Sequence, residues 1–111
     1  MKNISLKRID DVCIISILNE RATLNISEEL NTVIIDCAPT CLDTIIDLSR
    51  CNFIDSTFIG NLISVSKKLK ESKTNLFLIK PEEEAFQIIV RMGVKEVFNF
   101  LESPADLLRR K

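Results

Sequence analysis

The sequence has no histidine, no tryptophan and no tyrosine, and only two glycines. Each absence removes a class of function. Without His, neither a Ser-His-Asp nor a Cys-His catalytic pair can be assembled. The four cysteines (Cys13, Cys37, Cys41 and Cys51) form no CxxC pair, and no His is present to complete a zinc site. Gly60 and Gly93 alone cannot build a phosphate-cradling loop, and neither GxGxxG nor GxxxxGK[ST] occurs. Six Phe are the whole aromatic inventory, which makes a base-stacking platform a poor expectation. The net charge of −1 gives no whole-molecule attraction to nucleic acid or membrane. No apolar run approaches the ~20 residues of a membrane helix. Met1-Lys2-Asn3 leads into a short alternating segment, not a secretory leader. The expectation is a cytoplasmic protein with no metal, no cofactor, no nucleic-acid partner and no membrane insertion.

What is present suits one globular domain spanning residues 1–111. The chain is 46% apolar and 28% charged, a balance that buries a core without metals or disulfide staples. Residues 2–8 alternate like a strand, Asp10-Asp11 supplies turn chemistry, and 12–18 (VCIISIL) read as a strand covered on both faces. Residues 19–25 are a polar connection. Ser27 is a candidate helix cap, followed by an apolar stripe of Ile26, Leu30, Val33, Ile34 and Cys37. Pro39 stops that helix at or before residue 38. Residues 43–48 are a second buried strand, and 49–56 a loop with Phe53 and Ile54 pointing inward.

A second helix runs from about Thr57 to Glu71 on Phe58, Leu62, Val65 and Leu69. Residues 76–80 are a third buried strand. Pro81 and Glu82-Glu83-Glu84 suit the start of a third helix, with Phe86, Ile89, Val90 and Met92 as its apolar face and Gly93 as its C-cap. A short strand at 95–100 and a terminal helix after Ser103-Pro104 complete the series. Strands alternating with helices predict an α/β fold: a mixed, mostly parallel sheet of about five strands packed against about four helices. Cys13 and Cys37 read as small core residues, and Cys37 and Cys41 lie close enough in sequence for a regulatory disulfide to be conceivable. The cluster Lys67, Lys68, Lys70 and Lys73 reads as a solvated face at a helix C-terminus.

One segment, residues 47–72, combines features that such a fold does not by itself require. A buried strand ends, a short loop follows, and Asp55-Ser56-Thr57 opens an amphipathic helix. Taken alone, a capped helix explains these residues. The run Phe53-Ile54-Asp55-Ser56-Thr57-Phe58-Ile59-Gly60 nevertheless resembles the STAS domain of the bacterial anti-sigma factor antagonists, whose loop commonly reads like FMDSSGLG or YMDSTGLG. The preceding TIIDLS and the later LFLIKPEEEAFQIIVRMGVKEVF are similar to that family's strands and helices in the same order, so the resemblance covers nearly the whole chain.

The resemblance implies no enzyme activity, but a phosphorylation switch that regulates sigma-factor-dependent transcription. Ser56 would be the acceptor, with Thr57 as a second hydroxyl. The partner would be an anti-sigma factor that is also a serine kinase, and a phosphatase would be a further partner. The contact surface would draw on Glu20, Ile54, Asp55, Ser56, Thr57, Phe58 and Asn61. Two positions depart from the family pattern. Phe58 stands where a Gly is usual, and either shields Ser56 or faces the core. The turn that commonly reads GE-x-D is here Asn19-Glu20-Arg21-Ala22, which keeps only the Glu. Two other readings stay open: a STAS module that binds a protein without being phosphorylated, as scaffold or transporter accessory, and a small-ligand or nucleotide-binding domain at the C-terminal edge of the strands.

Overall fold

A computed structural model describes residues 3–108. Lys2, at the start of the first expected strand, lies outside that range. Strands β1 (Ile4–Ile9) and β2 (Val12–Ile17) form an antiparallel hairpin, turned by Asp10 in the left-handed region (φ 54°). Asp tolerates that conformation better than most side chains because its short polar group bonds locally. A two-residue strand β3 (Arg21–Ala22) follows, then helix α1 (Leu24–Cys37) and strand β4 (Asp43–Asp47). A second two-residue strand, β5 (Phe53–Ile54), precedes helix α2 (Ser56–Glu71). Strand β6 (Asn75–Ile79), helix α3 (Glu83–Arg91), strand β7 (Phe100–Leu101) and helix α4 (Pro104–Leu108) complete the order.

The main sheet has the order β1-β2-β4-β6-β7, and every pairing except β1–β2 is parallel. The expected five-stranded mixed sheet with four helices is therefore the observed one. β3 and β5 form a separate parallel pair, Arg21 opposite Phe53 and Ala22 opposite Ile54.

Alternation divides the central strands between two cores. Cys13, Ile15 and Ile17 of β2, with Ile46 of β4 and Leu78 of β6, face α1, α2 and α3. Val12, Ile14, Ile45 and Ile79 face the other way, beneath Leu107 of α4. Both faces are thus covered, which is why these strands are almost wholly apolar.

Several boundaries differ from the sequence reading. α1 begins at Leu24, with Thr23 in the N-cap position; Ser27 lies inside the helix, buried, and its hydroxyl has no hydrogen-bond partner among the described residues. Leu24 is 52% exposed, so the apolar stripe begins only at Ile26, two residues inside the helix. Pro81 precedes the N-cap of α3, which is Glu82. The buried face of α3 is Ala85 and Ile89, while Val90 and Met92 are exposed at 38% and 42%. The stretch expected as a strand at 95–100 is a short 3₁₀ turn, Lys95–Val97, and pairing starts only at Phe100.

The ends of α2 and α3 use the same geometry with different residues. After α3, Gly93 takes φ 72° and its amide donates to the Val90 carbonyl. After α2, Lys73 takes φ 60°, its amide donates to the Lys70 carbonyl, and the Thr74 amide donates to the Leu69 carbonyl. This bond pair is the Schellman arrangement, whose left-handed position favours Gly. A Cβ there is strained, so Lys73→Gly is expected to raise the unfolding free energy by about 1 kcal/mol. Urea denaturation with unchanged slope checks this.

Candidate functional site

The loops after β2, β4 and β6 converge at the C-terminal edge of the parallel strands, and their backbones bind one another. The Glu20 carbonyl accepts from the amides of Asn52 (2.8 Å) and Phe53 (3.2 Å). The Asp55 amide donates to the Ala22 carbonyl at 3.2 Å, and the Glu82 amide to the Cys51 carbonyl at 2.9 Å. The Cys51 thiol, fully buried, donates to the Asn19 carbonyl at 3.4 Å. Asp47 at the end of β4 accepts the Ser49 amide at 2.9 Å, which starts the turn. The strand pair β3–β5 extends this mesh up to the first residue of the 55–57 segment.

Asp55 is the N-cap of α2. Its backbone is extended, and its Oδ1 accepts the Phe58 amide at 2.8 Å. The carboxylate therefore satisfies one of the amides that a helix start leaves unbonded, and its charge suits the positive end of the helix dipole. Asp55→Ala is expected to cost about 1 kcal/mol, with Asp55→Asn recovering most of it; thermal melts of the pair check this. Ser56 and Thr57 follow as the first two helical residues, and both are exposed.

Phe58 is 0% exposed and lies in the main core with Ile59 and Leu62. It does not shield Ser56. Its place as the first residue of the buried stripe of α2 turns the side chain away from the loop surface. Ile54 is also 0% exposed. Of the contact residues expected from sequence, Ile54 and Phe58 are thus corrected to supports beneath the loop, because a side chain with no accessible surface cannot touch a partner. Asn61 is half-buried and exchanges two amide hydrogen bonds of 3.1 Å with Asn31, tying α2 to α1. Glu20 has an exposed side chain and reaches the loop through its backbone carbonyl. The structure thus brings Asp55, Ser56 and Thr57 together on the surface, with Glu20 in the neighbouring loop.

Sequence reasoning missed Arg21. Its guanidinium lies 4.1 Å from the centroid of the Phe53 ring and covers that half-buried side chain, two residues before Asp55. Nothing in the spacing of so short a strand pair announces that stacking. Cys51 was missed as well. Burial pushes its thiol up from the ordinary 9.0 to about 12, and the carboxylates of Asp47 and Glu82 add to the rise. The native thiol thus holds its proton more tightly than the unfolded one. The stability this contributes is complete below pH 9.0 and is lost as the pH rises through about 12. Denaturation between pH 8 and 10 should show an alkaline loss that Cys51→Ser reduces.

The disulfide in the structure is Cys13–Cys41, not the Cys37–Cys41 pair considered from sequence spacing; Cys37 is a buried free thiol at the end of α1. No cluster of three or more metal-ligating side chains occurs among the described residues, and no described helix is long and apolar enough to cross a membrane.

Residues 3–107 match the model of the STAS domain family, and the chain belongs to that family. An anti-sigma-factor antagonist (STAS) domain protein from Planctomyces limnophilus has a similar structure, at 20% identity and TM-score 0.81, covering 99% of this chain and 98% of that one. The anti-sigma factor antagonist SpoIIAA in its unphosphorylated form is similar at 14% identity and TM-score 0.79, over 96% of this chain and 94% of that one. The phosphorylated form of SpoIIAA, described as a Bacillus cell fate determinant, is similar at 14% identity and TM-score 0.73, over 97% and 99%. At these identities the likeness carries the fold. No curated protein sequence matches the chain.

Proposed function

We propose that this protein is a cytoplasmic anti-sigma factor antagonist, without catalysis of its own, that binds an anti-sigma serine kinase and is switched off by phosphorylation of Ser56. The observation that carries the reading is the exposure of Ser56 at the first position of α2, directly after the capping Asp55, on a loop anchored through backbone bonds to β3. A kinase must reach the hydroxyl without unfolding its surroundings, and this hydroxyl is reachable. Burial of Phe58 supports the reading, because its ring does not stand over the hydroxyl. Membership of the STAS family and the likeness to both forms of SpoIIAA support the same reading.

A phosphate adds roughly −1.5 to −2 charges and three acceptor oxygens. At the start of α2 the helix dipole favours that charge by about 0.3–1 kcal/mol, which offsets repulsion from Asp55. The fold should therefore accept the modification, and the partner should respond to it. Intact-mass spectrometry after incubation with ATP and the anti-sigma kinase of the same genome tests the reading. One added phosphate, absent in Ser56→Ala, is the expected result. Stable binding of the kinase with no phosphate added would shift the function to a phosphorylation-independent interaction module.

A further inference from the structure

The pole opposite Ser56 holds a second chemical feature. β2 and β4 run parallel, and their N-terminal ends meet there with the C-terminal end of α1. Three cysteines lie at this end. Cys13 of β2 is bonded to Cys41 just before β4, with Cα atoms 6.1 Å apart, and the Cys13 sulfur lies 3.7 Å from the Cys37 carbonyl. All three residues are buried.

We propose that Cys13 and Cys41 form a reversible thiol–disulfide couple that sets the stability of the domain according to redox state. The approach of the two cysteines does not depend on the bond between them. The amides of Leu42 and Asp43 donate to the Asp11 carbonyl at 2.9 and 3.3 Å, so the start of β4 is stitched to the start of β2. The Thr74 hydroxyl donates toward the carbonyls of Ala38 and Cys41 at 3.5 and 3.3 Å. Arg8 clamps the turn from the other side, with bonds of 2.7 Å to both the Thr40 hydroxyl and its carbonyl. The fold thus presents the two thiols to each other again after reduction.

In a reducing compartment the pair is open, since disulfides do not persist there. An oxidised low-molecular-weight disulfide such as glutathione disulfide closes it. The two protein thiols lose two protons and two electrons and form one S–S bond, while the small disulfide gains both and becomes two thiols. Cys37 is bonded to neither of them and stays a free thiol, which burial pushes up. Closure joins residues 28 apart and encloses α1. A loop of that length restricts the unfolded chain enough to shift the folding equilibrium by roughly a few hundred-fold.

The test equilibrates the whole protein in oxidised or reduced glutathione, counts free thiols by alkylation and mass after unfolding, and maps the bond by peptide digestion. Two free thiols, a Cys13–Cys41 linkage and a thermal midpoint raised by roughly 10 °C or more in the oxidised sample are expected. Cys37→Ser should keep the shift, and Cys13→Ser and Cys41→Ser should each abolish it. Four free thiols in the oxidised sample, a linkage through Cys37 or Cys51, or equal midpoints in the two wild-type samples would overturn the proposal. The wild-type comparison decides even if a substituted chain does not fold.

Discussion

Phe58→Ala is expected to lower the unfolding free energy by about 3–5 kcal/mol, the largest effect of any single truncation in the 53–61 segment. Phe58 is the bulkiest side chain with no exposed surface in the main core, which it shares with Ile54, Ile59 and Leu62. Truncation removes its transfer free energy and leaves a cavity between α2 and the sheet. A domain of this size has on the order of 5–15 kcal/mol in total, so a thermal midpoint lower by more than about 10 °C should follow. Substitution by the Gly usual in the family would remove the same ring and also loosen the first turn of α2. Urea denaturation checks the figure, and a loss under ~1 kcal/mol would mean that the ring does not fill the core as described. Ser56 sits two residues away on the exposed side of the same turn, so the core role of Phe58 and the accessibility of Ser56 are one geometric fact.

Ser56→Asp is expected to do the reverse: little to the fold, much to the partner. Stability should change by less than about 1 kcal/mol, because an exposed carboxylate in the first turn of a helix meets the favourable end of the dipole. Affinity for the anti-sigma kinase should fall at least about tenfold, since a charge brought into a contact must be paired or desolvated. Ser56→Ala should bind like the wild type. Melting curves and titrations on the same three proteins separate the two effects. A Ser56→Asp protein that binds like wild type would show that the hydroxyl lies outside the contact.

The architecture was legible because its core strands are unambiguous. VCIISI and DTIID carry β-branched residues on both faces, which only a covered sheet explains, and the alternation with helices dictated parallel pairing. The short elements were not legible. β3, β5 and β7 have two residues each, too few for periodicity, and they exist because backbone partners in neighbouring loops are close. The start of α1 was missed because Leu24 faces solvent. At the site, the capping role of Asp55 followed from residue type and position. The direction of Phe58 did not, since both orientations fit the same letters, and its complete burial in the main core decides it. Arg21 on Phe53 and the Cys13–Cys41 pair depend on contacts between strands, which spacing along one chain does not encode.

In the proposed switch, the Asp55-Ser56-Thr57 surface binds a partner only while Ser56 is unmodified. Isothermal titration of the unmodified and the Ser56-phosphorylated protein into the anti-sigma kinase tests it most directly, with thermal melts of both forms as the control for folding. Tight binding by the first, binding at least about tenfold weaker by the second, and melting midpoints within a few degrees of each other are expected. Equal affinities for the two forms would contradict it.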